Sequence, residues 1–308
     1  GRLPNYHKYA DRMRPKEYLD KVRQREIVDP VLLFQLSNDF HVRKVMRNYL
    51  PNDEESRHYA CLLQWDNIYY QAPTEEYILP KTTVRVGIVQ WQMRSYKTLD
   101  DLFEQVEVFV DSVSGYQSDF VLFPEYFNAP LMARFNDASE SQAIRGLARY
   151  TDEIRERFIN LAIRYNINII TGSMPLIKED GLLYNVGFLC RRDGTYEMYE
   201  KLHVTPDEMK CWGLSGGKAI RTFETDCAKI GVLICYDVEF PELSRIMASE
   251  GMQILFVPFL TDTQNAYSRV RVCAHARAIE NECTVVIAGS VGNLPKVHNT
   301  DSQDAQSA

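Results

Sequence analysis

From Thr83 onward, apolar runs too short for a helix alternate with longer segments in which apolar residues recur every three or four positions. The runs "VRVGIVQWQ", "DFVLFPE", "INIITGS", "QILFVP" and "CTVVIAGS" predict buried strands. Between them, "TLDDLFEQVEVFVDSV" places Leu102, Val106, Phe109 and Val113 on one helical face, with Thr98 set to cap its first turn. "TDEIRERFINLAIRYN" does the same with Ile154, Phe158, Leu161 and Tyr165. "PELSRIMASEG" predicts a helix with Pro241 in its first turn and Gly251 as its stop, and "NAYSRVRVCAHARAIENE" predicts another. Mid-chain the rhythm changes: "LLYNVGFLC", "RRDGTYEMYEK", "AIRTFE" and "AKIGVLIC" read as strands divided by turns such as Asp193-Gly194. Helices alternating with apolar strands, interrupted by hairpin-like strands, predict a layered α/β domain.

The first 82 residues have another texture, charged and dotted with Pro and Tyr. Here "EYLDKVRQREI" predicts a short amphipathic helix and "PVLLFQL" a strand. "HVRKVMRNYL" sets Val42, Val45, Met46 and Tyr49 at helical spacing. The expected organisation is a short α+β segment, residues 1–82, ahead of a domain over residues 83–308.

Composition narrows the class. With 308 residues, 45% of them hydrophobic and 25% charged, the chain can bury a large core. A net charge of −7 argues against nucleic acid or an anionic membrane surface as the main partner. The absence of a long apolar run or a signal-peptide pattern leads to the same expectation of no membrane partner. The seven cysteines, at 61, 190, 211, 227, 235, 273 and 283, form no CxxC and no regular spacing. Free thiols in a reducing, cytoplasmic compartment are expected rather than a disulfide framework. The six histidines are scattered, so neither a metal nor a cofactor is expected.

Reacting groups in layered α/β folds gather beyond the carboxyl ends of strands. Three polar residues stand there: Glu125 ends "VLFPE", Lys201 ends "YEMYEK" and Cys235 ends "IGVLIC". Each alone has a plainer reading, as a cap, a surface lysine and a buried thiol. Together they supply a nucleophile, a base to take its proton and a cation for an oxyanion. The chain has no GxSxG elbow, no HExxH and no phosphate-binding glycine loop to compete with them.

"VLFPEYF", "YEKLHVTPDE" and "GVLICYDVEFPELSR" resemble, in this order, the three signature segments of the nitrilase superfamily, the carbon–nitrogen hydrolases. The resemblance runs from about Val84 to the end of the chain. It implies a four-layer α-β-β-α sandwich, in which Glu125 is general base and then general acid, Lys201 stabilises the oxyanion and Cys235 is the nucleophile. It further implies a second glutamate, carried over to Glu208, with Asp207 as the rival; Glu200 points to the opposite strand face from Lys201. The backbone N–H of Tyr236 becomes a second oxyanion donor, and Tyr126 and Phe259 candidates to line the substrate pocket. The resemblance also suggests a homodimer or higher homo-oligomer.

Cys-Tyr-Asp after the strand resembles the amidase and carbamoyl-amide branches, whereas nitrile-hydrolysing members usually read Cys-Trp-Glu. The expected activity is therefore hydrolysis of a small-molecule amide through a cysteine thioester, releasing ammonia. Acyl transfer from the same intermediate, nitrile hydrolysis and a non-catalytic binding module remain open alternatives. The stretch from "GRLPNYHKYADRM" to "YACLLQWDN" resembles the end of a GNAT-type acetyltransferase domain without its acetyl-CoA loop. The domain over residues 83–308 is expected to be cut short at its C-terminal end.

Overall fold

The structure, a computed structural model, describes residues 1–65, 83–294, 297 and 307. The expected linker up to residue 82 and most of the tail after Leu294 lie outside the described residues. The chain divides into two units, Gly1–Ile78 and Leu79–Ala308.

The first unit holds helices α1 (Pro15–Arg23) and α2 (Pro30–Ser37) and an antiparallel pair, β1 (His41–Met46) and β2 (Ala60–Gln64). Two of its elements differ from the sequence expectation. "PVLLFQL" is the helix α2: the Asp29 side chain accepts from Leu32 N–H and Pro30 occupies the first turn, two start signals that outweigh an ambiguous apolar run. "HVRKVM" is the strand β1, with a bulge between Val42 and Lys44. The extra residue brings Val42 and Val45 to the same core, so a bulged strand imitates helical spacing.

The second unit opens with β3 (Val86–Ile88) and β4 (Trp91–Gln92), then α3 (Leu99–Gly115), β5 (Phe120–Leu122), α4 (Glu140–Leu147) and α5 (Thr151–Tyr165). Strands β6 (Asn168–Ile170), β7 (Met174–Ile177), β8 (Leu183–Cys190), β9 (Tyr196–Glu200), β10 (Leu214–Ser215), β11 (Thr222–Glu224) and β12 (Lys229–Val232) follow. Helix α6 (Pro241–Ser249), β13 (Ile254–Phe259), α7 (Gln264–Asn281) and β14 (Thr284–Val291) complete it. One sheet runs β10-β8-β6-β5-β3, with β7 and β9 also paired to β8; the other runs β11-β12-β13-β14-β4.

Side-chain alternation builds the layers. In β5, Val121 joins Leu102, Val106, Ile154 and Phe158 of α3 and α5, while Phe120 and Leu122 turn the other way. They meet Ile230, Val232, Ile254 and Phe256 of the second sheet, and the rings of Phe120 and Phe256 lie 5.3 Å apart. The outer face of the second sheet carries Met247 of α6 and Tyr267, Val270 and Ala274 of α7. The result is a helix–sheet–sheet–helix stack. Thr98 caps α3 in a reciprocal capping box with Asp101, and Pro241 opens α6.

Candidate active site

The Glu125 segment is fixed from behind by glycines. Gly172 has φ +71, and a Cβ there would lie 1.9 Å from the Pro124 carbonyl oxygen. A Cβ on Gly187 would lie 2.1 Å from the Gly172 carbonyl oxygen, so β8, the β6–β7 connection and residue 124 press together. The Tyr199 hydroxyl donates to that same Gly172 carbonyl at 2.6 Å. Beyond this packing Glu125 forms a parallel bridge with Ser173, and Tyr126 turns into the left-handed region at φ +49.

Lys201 follows β9 directly and stays in register, its N–H donating to Asn185 O across the ladder at 2.9 Å. Cys235 opens a 3-10 turn, Cys235–Glu239, at φ +49, a sparsely populated conformation for a residue with a side chain. Glu208 heads a π-helical turn, Glu208–Trp212. Its position is set by a capping box with Thr205: Thr205 N–H donates to Glu208 Oε2 at 2.8 Å, and Glu208 N–H to Thr205 Oγ1 at 3.3 Å.

The structure brings Glu125, Lys201, Glu208 and Cys235 into one enclosed cluster, each less than a tenth exposed. Lys201 Nζ donates to Glu125 Oε1 at 2.9 Å and to Glu208 Oε1 at 2.8 Å. Asn185 Nδ2 donates to Glu125 Oε1 at 2.8 Å and reaches Glu208 Oε1 at 3.5 Å. The Tyr126 hydroxyl donates to Glu208 Oε1 at 3.3 Å. Leu260, just past β13, uses both main-chain groups. Its N–H donates to Glu125 Oε2 at 2.8 Å, and its carbonyl accepts from Cys235 Sγ at 3.6 Å.

Electrostatics follow from burial. Desolvation raises the Glu125 carboxyl above its ordinary range; Lys201 opposes the rise and Glu208 adds to it. Desolvation works against the Lys201 charge, but Glu125 and Glu208 outweigh it and hold the ammonium well above the usual lysine range. Burial, reinforced by the Glu125 charge, pushes the Cys235 thiol well above its ordinary value. At rest Cys235 is therefore a protonated thiol, and Glu125 beside it carries a raised carboxyl.

The other candidates lie as follows. Glu200 pairs with Lys178. Asp207 is exposed, one residue before the glutamate that Lys201 engages. Tyr126 is buried, its ring edge-on to Trp212 at 5.2 Å. The Phe259 ring is buried against Tyr267 of α7 at 6.1 Å, and this strand end meets the cluster through the next residue. Tyr236 is the second residue of the 3-10 turn, where N–H groups have no carbonyl within the turn to bond. Sequence reasoning missed Asn185, Leu260 and the capping role of Thr205. The lone polar residue in "LLYNVGFLC" and the Thr-x-x-Glu spacing were the available signals, and Leu260 left none. Among the described residues no group of three or more His, Cys, Asp or Glu could hold a metal ion, and no helix is long and apolar enough to cross a membrane.

A model of the carbon-nitrogen hydrolase family matches residues 85–306. The chain belongs to that family. This hydrolase-family chain is 46% identical over all 308 residues to the probable hydrolase YhcX of Bacillus subtilis (strain 168), and spans 60% of that relative's length. It is 29% identical over 218 residues to omega-amidase NIT2 of Homo sapiens, which covers 67% of the chain and 74% of the relative. Among solved structures, an amidase from Nesterenkonia sp. superposes with a TM-score of 0.61 at 23% identity, over 73% of this chain and 81% of that one. Nit3 of Saccharomyces cerevisiae, a member of branch 10 of the nitrilase superfamily, gives 0.58 at 22% identity, over 73% and 80%. At these identities the solved neighbours speak for the shared α/β fold.

Proposed function

We propose that the second unit hydrolyses a small amide through a thioester on Cys235. The observation that carries this reading is the shared ammonium: Lys201 lies 2.9 Å from Glu125 Oε1 and 2.8 Å from Glu208 Oε1, with Cys235 tied to Glu125 through Leu260.

Sulfur attacks the amide carbon as Glu125 takes the thiol proton. The carbonyl oxygen becomes an oxyanion received by Lys201 and the Tyr236 N–H; one such donor is worth about 3 kcal/mol of barrier. The C–N bond then breaks, Glu125 passes its proton to the nitrogen, and ammonia leaves. Water, deprotonated by Glu125, attacks the thioester; the C–S bond breaks, the acid departs and the thiol regains its proton. Glu208 and Asn185 keep the base and the ammonium in register, and Tyr126 holds Glu208 in place. We read the substrate as an amide, in keeping with the amidase relatives, and the working form as a cytoplasmic homo-oligomer. The first unit reads as the end of a GNAT-type acetyltransferase domain, and the activity of the whole protein belongs to this same proposal.

The test is ammonia release from small ω-amides and carbamoyl compounds. Cys235→Ala is expected to lower it by about 10³-fold or more, with no acyl adduct by intact mass. Undiminished release from that variant would overturn the reading.

A further inference from the structure

Asp237 stands two residues after Cys235 in the same 3-10 turn and is fully buried, yet the proposed chemistry makes no use of it. Its Oδ2 accepts Leu202 N–H at 3.0 Å, and its Oδ1 accepts His203 N–H at 2.7 Å and lies 3.0 Å from His203 Nδ1. Leu202 directly follows Lys201. One carboxylate thus ties the segment leaving the lysine to the turn that presents the thiol. The far end of the turn is held from α7, where Arg277 donates to Val238 O at 3.0 Å and to Glu239 O at 3.2 Å. The His203 ring in turn lies flat on Phe240, centroids 3.7 Å apart and planes 9° from parallel.

We infer that Asp237 is a positioning residue that sets the Lys201 ammonium against the Cys235 thiol. The inference rests on the catalytic roles proposed for those two residues. Its chemistry explains why a carboxylate is needed. Three donors converge on Asp237, and an amide of the same shape offers one acceptor oxygen while turning an NH₂ group toward at least one N–H. The segment after Lys201 must then shift, or leave a buried donor unpaired. A misplacement of about 1 Å can cost about 10²-fold in rate. The aspartate of the Cys-Tyr-Asp stretch therefore faces the protein's own backbone, and its identity reports on how the site is assembled.

The test measures alkylation of Cys235 by iodoacetamide, read on the tryptic peptide from neutral to alkaline pH, in the parent and in Asp237→Asn, with circular dichroism to confirm folding. In the parent, alkylation of the buried, protonated Cys235 is expected to depend on Glu125 as base and to fall at least about tenfold in Glu125→Gln. In Asp237→Asn the rate at Cys235 is expected to fall about tenfold and its pH midpoint to rise, with kcat for amide hydrolysis falling at least as far and KM little changed. A folded Asp237→Asn protein with the parent's rate and midpoint would overturn this inference alone. A rate at Cys235 that Glu125→Gln leaves unchanged would overturn the proposed chemistry and this inference with it. Should Asp237→Asn fail to fold, His203→Ala removes one donor and leaves both backbone bonds; it is expected to slow alkylation about threefold, and an unchanged rate would count as refutation.

Discussion

Each unit encloses a carboxylate, and the two differ in their company. Asp29 of the first unit is fully buried and accepts from Leu32 N–H at 3.2 Å, Asn5 N–H at 3.3 Å and the Tyr18 hydroxyl at 2.5 Å. All three donors are neutral, and what they achieve is architectural: a capped helix, an anchored loop and a fixed ring. Glu125 of the second unit is as deeply buried, but two carboxylates there share one ammonium. Desolvation, with the Glu208 charge adding to it and Lys201 opposing it, pushes Glu125 toward holding a proton. Neutral donors leave Asp29 a structural carboxylate; Glu125, which shares an ammonium beside a thiol, is placed to carry a proton in the chemistry proposed above.

The widest separation between the two should come from paired amide substitutions. Glu125→Gln keeps the side chain's shape and should lower ammonia release by about 10²- to 10⁴-fold, with the urea midpoint unchanged or raised. Asp29→Asn should do the reverse, costing about 1–3 kcal/mol of stability by urea unfolding and sparing hydrolysis. Loss of hydrolysis in folded Asp29→Asn protein would break the comparison.

A smaller effect separates them by pH. Lys201 and Cys235 both have folded-state values raised above their ordinary 10.5 and 9.0. A group raised on folding gives its stabilisation fully below the unfolded value and loses it as pH climbs toward the folded one. Stability is therefore expected to decline from pH 9.0 upward as the unfolded thiol ionises first, then further past 10.5. Cys235→Ala should make the earlier part of that decline shallower in pH-dependent urea unfolding, the other raised thiols, Cys190 among them, supplying the rest. Glu125 has the same sign at the acid end, so the acid limb of hydrolysis should sit above the ordinary carboxylate value of 4.5.

The smallest effect should be at the Thr205 cap. Thr205→Val removes the hydroxyl that accepts Glu208 N–H while Lys201 still engages the glutamate. It is expected to cost about 1 kcal/mol of stability and to leave hydrolysis within about fivefold of the parent.

Most of the second unit was legible in the pattern because its central strands β5, β6, β8 and β13 are buried on both faces and its helices carry one apolar stripe. The capping of α3 by Thr98 and the Pro241 start of α6 were visible as local chemistry. The first unit was harder: α2 is a short apolar run whose period says little, and the bulge in β1 counterfeits helical spacing. In the site, Glu125, Lys201 and Cys235 could be singled out because each follows a strand. Asn185 was hidden inside a strand, where a single amide reads as noise until its partners are known. Asp237 was visible only as an oddity of composition, because the backbone donors it satisfies belong to a segment more than thirty residues earlier.

The two bonds from Leu260 differ from the rest of the site in the kind of change that can undo them. Base and thiol are both held by one peptide's main-chain atoms, and every amino acid but proline supplies the pair. The Leu260 side chain packs against the core that includes the apolar faces of α3 and α5, but the link itself does not depend on that side chain. A substitution at 260 reaches this link only by moving the backbone, so the joint between base and thiol is written in the path of the chain and not in the identity of one residue.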